Sequence, residues 1–232
     1  METNAWVFIV DDDSSIRKAL MRLFRLAGLQ TECFPSAAAF LEYDRPEAPS
    51  CLVLDLQMPD CDGLELQRAL RERHIELPII FITGHGDVRT TAQGMKEGAV
   101  DFLPKPFEDE DLLRAVRQAL EQSTRERDVR SSVFILQRRM GTLSPREQEV
   151  LGYVVSGMLN KQIGCRLGVT EKTIKVHRGQ VMHKMEARSL AELVRMAEKL
   201  GIRGPQDQPQ EGRRPSRRSS GGRVGAQHPV VS

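Results

Sequence analysis

The chain has only four cysteines in 232 residues. Cys33, Cys51, Cys61 and Cys165 form no C-x-x-C pair and show no zinc-like spacing, which leaves no basis for a disulfide framework or a thiolate metal site. Cys33 and Cys51 lie in apolar, strand-like runs and read as buried, reduced thiols, which suits a reducing cytosol. Long hydrophobic runs are missing as well. No stretch approaches the roughly 20 apolar residues of a membrane span. The run at residues 6–10 is too short for a signal-peptide core, and three aspartates follow it at once. The expectation is a cytoplasmic protein with no membrane partner. Net charge is also nearly absent, at +2, but that figure hides a division. Residues 1–121 carry 22 acidic and 13 basic side chains, net −9, and the remainder carries 21 basic and 10 acidic, net +11. Two domains with different partners, the basic one meeting nucleic acid, fit this split; two solvated surfaces fit it equally. Length and composition (40% hydrophobic, 28% charged) are those of a globular protein with room for two cores.

In the first half, short apolar runs at 6–10, 30–34, 51–54, 78–82 and 100–103 alternate with helical patterns at 15–27, 37–43, 64–73, 88–97 and 109–121. Five such βα repeats predict a doubly wound parallel sheet with helices on both faces. Residues 122–140 are polar, charged and free of Gly and Pro, and read as a partly helical linker continuous with the helix before it. From Gly141 the pattern changes to four short helices with clear punctuation. Ser144, Pro145 and Glu147 form a capping box with Pro at the first helical position, and Ser189 and Glu192 form another. A helix at 160–167 ends at Gly168, and Thr170 caps a third that runs to Lys184. The expected boundaries are 1–122, linker 123–141, an all-α domain at 142–202, and a basic, Pro/Gly/Ser-rich tail at 203–232 that cannot bury enough surface to fold.

Ligands of a parallel α/β sheet bind at the carboxyl ends of its strands. There the first strand delivers Asp11, Asp12 and Asp13, the third Asp55, the fourth Thr83, and the fifth Lys105 between Pro104 and Pro106. Two like charges about 4 Å apart repel by about 4 kcal/mol at an effective dielectric of 20, so a cluster of carboxylates calls for a hard divalent cation such as Mg²⁺. A carboxylate beside such an ion can attack phosphorus to give an aspartyl phosphate, whose oxygens a Lys ammonium and a Thr hydroxyl can bind. A run of aspartates before a helix also serves as its cap. Here Ser14 and Ser15 are read as the capping residues.

The motifs Ile9-Val-Asp-Asp12, Leu54-Asp55-Leu-Gln-Met-Pro-Asp-Cys-Asp-Gly63, Ile82-Thr-Gly-His85 and Asp101-Phe-Leu-Pro-Lys-Pro-Phe107 resemble the receiver domain of two-component response regulators, whose fold is flavodoxin-like. That resemblance implies Asp55 as phosphoacceptor and Mg²⁺ (or Mn²⁺) held by Asp12, Asp55 and the main-chain carbonyl of Gln57, with Asp11 acting through water. It also implies Thr83 and Lys105 as phosphoryl ligands, Phe102 as the aromatic switch, and a cis Lys105–Pro106 bond. Beyond transfer of the phosphoryl group to and from itself, no enzyme activity is implied.

In the third helix of the second half, Ile174, Val181 and Met185 share the core face. Lys172, Val176 and Gly179 fall opposite, with Lys175 and Gln180 at the margins and Arg178 towards the core side, able to reach a phosphate. The stretches Leu143-Ser-Pro-Arg-Glu-Gln-Glu-Val-Leu151, Asn160-Lys-Gln-Ile163, Leu167-Gly-Val169 and Lys172-Thr-Ile-Lys-Val-His-Arg178 resemble the LuxR/NarL helix-turn-helix. By that resemblance Lys175, Val176 and Gly179 stand at base-reading positions. Leu159 replaces a usual capping Ser and Gly164 a usual Ala, and each is expected to loosen its helix by up to about 1 kcal/mol. The two resemblances together look most like the FixJ subgroup. They imply a histidine kinase, double-stranded DNA, a phosphorylation-induced homodimer and RNA polymerase as partners. An Asp-nucleophile phosphatase would leave Asp55, Thr83 and Lys105 unexplained, and a phosphorylation-independent regulator would leave the acidic site without use.

Overall fold

The computed structural model describes residues 4–59, 61–84, 88–202 and 204, with residues 88–90 described by backbone alone. Asp60 and His85 of the quoted motifs, and the basic tail apart from Gly204, lie outside the described residues. The chain divides into two units, Met1–Phe134 and Ile135–Ser232.

The first unit holds β1 (Trp6–Val10), α1 (Ser14–Leu26), β2 (Gln30–Phe34), α2 (Ala37–Glu42), β3 (Ser50–Asp55), α3 (Gly63–Glu72), β4 (Ile79–Thr83), α4 (Val88–Lys96), β5 (Asp101–Pro104) and most of α5 (Asp109–Gly141). The strands form one parallel sheet in the order β2-β1-β3-β4-β5, the doubly wound fold expected from the βα repeats. Successive strand residues point to opposite faces, so both faces of the central strands must be apolar. On one face Val7, Ile9, Val53, Ile80 and Ile82 pack with Leu20 and Phe24 of α1 and with Leu112, Ala115 and Val116 of α5. On the other, Phe8, Val10, Leu52, Leu54 and Phe81 pack with Phe40 of α2 and with Leu66 and Leu70 of α3. Cys51 is fully buried in the first of these cores, whereas Cys33 is only half-buried.

Two local features differ from the sequence expectation. The cap of α1 is Asp13, not Ser14 or Ser15: its carboxylate accepts from the Ser15 N–H at 2.7 Å. The segment 123–141 is helical throughout, because nothing between Asp109 and Met140 interrupts the ladder. Within the first unit, buried Ser123 of this helix accepts from the Ser50 N–H at 3.1 Å, and Arg130 pairs with Glu76 at 2.9 Å.

The second unit holds the end of α5 with α6 (Pro145–Val155), α7 (Asn160–Leu167), α8 (Glu171–Lys184) and α9 (Leu190–Lys199). Its core is Leu136, Leu143, Val150, Leu151, Val154, Ile163, Ile174, Val181, Met185 and Leu193. Leu136 thus comes from the segment read as linker. The capping box of Ser144 and Glu147 forms in full. That of Ser189 forms by half, since the Glu192 carboxylate takes the Arg188 N–H instead.

Candidate functional site: strand-end carboxylates and a basic helix face

The ladder register sets Val10 beside Phe34 and Leu54, Asp55 beside Ile82, and Thr83 beside Pro104. The residues that follow these positions therefore meet at one edge of the sheet, where the strand order reverses between β1 and β3. Oxygens of Asp11, Asp12 and Asp55 lie within 4.8 Å of one another. Asp11 is fully buried, Asp55 is 7% exposed and Asp12 is exposed. Lys105 reaches in from beyond β5, its Nζ donating to Asp55 Oδ2 at 2.8 Å and to Asp11 Oδ2 at 3.0 Å. Burial raises the Asp11 carboxyl above its ordinary pKa despite the bond from Lys105. Burial also works against the charged Lys105 amine, yet its bonds to Asp55 and Asp11 outweigh this and hold its pKa above the usual lysine value. Three clustered carboxylates, two of them bonded to one ammonium, make a negative, oxygen-only donor set that fits a hard divalent cation such as Mg²⁺.

The three aspartates after β1 have separate tasks. Asp13 caps α1, and its N–H is held by Asp11 Oδ1 at 2.8 Å, while Asp11 and Asp12 turn their other oxygens to the cluster. Sequence reasoning missed Arg17, one turn into α1, whose Nη1 donates to the carbonyls of Asp11 at 2.6 Å and Asp12 at 2.9 Å and so fixes the carboxylate loop. Its only signal was a base five and six residues past the acids. Gln57 donates its N–H to Asp55 Oδ1 at 3.2 Å. Thr83 is 1% exposed, and its carbonyl accepts from the Lys105 N–H at 2.7 Å. The Phe102 ring lies half-buried, 5.2 Å from that of Phe81. The Lys105–Pro106 bond is cis.

In the second unit, α7 ends at Gly168, whose φ of 64° stops it, and the Thr170 hydroxyl then caps α8 by accepting the Thr173 N–H at 3.1 Å. Ile174, Val181 and Met185 are buried. Lys172, Lys175, Val176, Gly179 and Gln180 are exposed, Val176 to 58%. Apolar Val176 in that position forms part of a low, basic surface of the kind a major groove accepts. Arg178 is held within the unit: its Nη1 donates to Asn160 Oδ1 at 3.2 Å, tying α8 to the first turn of α7.

Leu159 provides no side-chain cap, although its N–H is taken by Gln162 Oε1 at 2.8 Å. Gly164 needs a different account from the one helix propensity suggests. A Cβ there would lie 2.8 Å from the Val169 carbonyl oxygen, so the tight α7–α8 turn leaves room for glycine only, whereas one at Gly179 would meet open space. Gly179→Ala is therefore expected to raise the thermal or urea stability of the second unit by about 1 kcal/mol. Gly164→Ala should show no such gain; an equal gain at both positions in parallel melts would overturn the steric account.

Residues 7–117 match the response regulator receiver domain, and residues 141–197 match the luxR family of bacterial regulatory proteins. Nodulation protein W of Bradyrhizobium diazoefficiens is 50% identical over 200 residues, covering 86% of this chain and 88% of that one. The response regulator protein TodT of Pseudomonas putida is 45% identical over 194 residues, 84% of this chain and 86% of its own. The transcriptional regulatory protein FixJ of Rhizobium meliloti is 44% identical over 196 residues, 84% and 96% respectively. Among solved structures, the response regulator StyR superposes with a TM-score of 0.77 at 46% identity, covering 84% of this chain and 99% of that one. Full-length FixJ from B. japonicum does so with a TM-score of 0.53 at 38% identity, covering 86% and 98%.

Proposed function

We propose, from the premise that this chain belongs to the FixJ/NarL-type response regulators and regulates transcription in a two-component system, that its signal enters at Asp55. In this reading a partner histidine kinase supplies the phosphoryl group: a carboxylate oxygen of Asp55 bonds to phosphorus as the kinase's N–P bond breaks. The observation that carries the reading is the bridging of Asp55 and Asp11 by Lys105 at 2.8 and 3.0 Å, which sets a cation beside the attacking oxygen. Mg²⁺, when bound, supplies charge stabilisation to the transferring phosphoryl oxygens; Asp12, Asp55 and the Gln57 carbonyl would hold it, with Asp11 assisting through water. Asp11, buried and fixed by Lys105, keeps the edge negative, and Arg17 holds the loop that presents Asp12. Once Asp55 carries phosphate, the Lys105 ammonium and the Thr83 hydroxyl bind its oxygens.

Engagement of Thr83 at the end of β4 opens space towards which Phe102 moves, and the face of α4 and β5 repacks. A second copy of the chain pairs on that face, presenting two α8 helices to two DNA half-sites. On DNA, Lys175 and Val176 read base edges, with Gln180 beside them. Lys172 contacts phosphate, and Arg178 steadies the helix pair through Asn160. Treatment with acetyl phosphate and Mg²⁺, followed by gel filtration and titration with promoter DNA, tests this. The expected result is a shift from monomer to dimer with tighter binding. A phosphorylated chain that stays monomeric and binds no better than the untreated one would sink the activation scheme.

A further inference from the structure

The direction in which the exposed face of α8 points depends on how the two ends of that helix are fastened. At its start α8 is held by the Thr170 cap and, through Arg178, by Asn160 of α7. Its other end is built differently. Met185 closes the helix, and the next residue, Glu186, takes a φ of 55°. That left-handed backbone suits glycine and is disfavoured for a residue with a Cβ, so neighbouring groups must hold it in place.

Arg139 does so. It comes from the end of α5, where Leu136 and Met140 pack into the core of the second unit. Its Nη1 donates to the Met185 carbonyl at 3.2 Å, and its Nη2 pairs with the Glu186 carboxylate. The planar guanidinium thus engages a main-chain oxygen and the side chain of the next residue, a two-pronged contact that fixes direction as well as distance. Its charge also faces the negative end of α8. The Glu186 side chain is 67% exposed, so water screens the ion pair and little folding stability rests on it. What the pair supplies is geometry. One residue before Met185, Lys184 Nζ donates to Glu147 Oε2 at 2.7 Å, but that buried carboxylate also closes the capping box of α6. The Arg139–Glu186 pair can be altered without touching that box.

We propose that Arg139 is a positioning residue for sequence recognition: by gripping Met185 and Glu186 it sets the direction of α8, and with it the alignment of Lys175, Val176 and Gln180 to base edges. The role rests on the reading that the second unit binds DNA through α8. Phosphate contacts tolerate a small tilt of the helix, because long basic side chains follow the DNA backbone. Base-edge hydrogen bonds do not, since they are confined to about 2.7–3.2 Å and near-linear angles. Loss of the grip therefore removes discrimination between sequences rather than binding. One misread base pair is a factor of about 5–150 in affinity.

The test uses full-length chains treated with acetyl phosphate and Mg²⁺ on two duplexes, one recovered from a random pool by selection with the native chain and the other a shuffled version of it. Arg139→Gln should bind the shuffled duplex within about twofold of the native chain and with the same salt slope, yet bind the selected duplex about tenfold more weakly. Arg139→Lys, whose single ammonium reaches one of the two acceptors, should fall between them. Glu186→Gly should lose discrimination while melting no lower than the native chain, because glycine accepts the left-handed backbone. Equal loss on both duplexes, or unchanged discrimination in Arg139→Gln or Glu186→Gly, overturns the positioning role and leaves the DNA-binding reading intact. Failure of the native chain to select any duplex overturns both.

Discussion

Asp55→Asn chain incubated with acetyl phosphate and Mg²⁺ takes up no phosphate above background, a loss of at least roughly a thousandfold, as when other nucleophiles are deleted. The amide has no anionic oxygen to attack phosphorus, and neither Asp13 nor Asp11 can substitute. Asp13 is committed to the Ser15 N–H of α1, and Asp11 is fully buried beneath Lys105. The variant still folds, because the bond from Lys105 to Asp11 remains and one of three clustered negative charges is removed. Unchanged far-UV circular dichroism with no labelling on a phosphate-affinity gel is the expected pair of readings. Labelling at the native level would move the acceptor to Asp12, the exposed member of the cluster.

Leu136→Ala destabilises the second unit by about 2–5 kcal/mol, although residue 136 lies in a segment whose composition reads as linker. Its side chain is 6% exposed and sits among Val150, Leu151, Ile174 and Val181. Removing it takes contacts from a core of about ten buried side chains, and small domains have little stability to lose. Urea unfolding in a Tyr43→Phe background, followed by Tyr153 fluorescence with Trp6 reporting the first unit, separates the two transitions. The neighbouring Ile135→Ala, at a position 49% exposed, should cost under about 1 kcal/mol. Equal costs at 135 and 136 would contradict the burial.

The contrast between those residues shows what a sequence can and cannot disclose here. The strands of the first unit were legible because central parallel strands are apolar on both faces, so β1, β3 and β4 stand out, β1 with its ends in place. The acidic cluster was legible because strand ends converge at one edge of such a sheet, whatever the helices do. Leu136 and Met140 were not legible as core. Leu136 ends a run of four consecutive apolar residues, 133–136, which gives no helical periodicity to mark the buried one, and only the packing of α6 and α8 against α5 singles it out. Asp13 as the cap of α1, and Arg17 beneath the loop, depend on how three consecutive carboxylates divide their bonds. Composition is silent on that division. Gly164 illustrates the same limit, since propensity marks it as weak while the carbonyl of Val169 leaves space for nothing larger.

The bond between Arg178 and Asn160 sets the size of the piece that can be exchanged between such proteins. A graft that transplants α8 alone carries the exposed face of Lys172, Lys175, Val176 and Gln180 but strands Arg178 opposite whatever residue opens the recipient's α7. The guanidinium then loses the partner that ties the two helices together. Retargeting this regulator requires α7 and α8 to travel together, as one cassette beginning at Asn160.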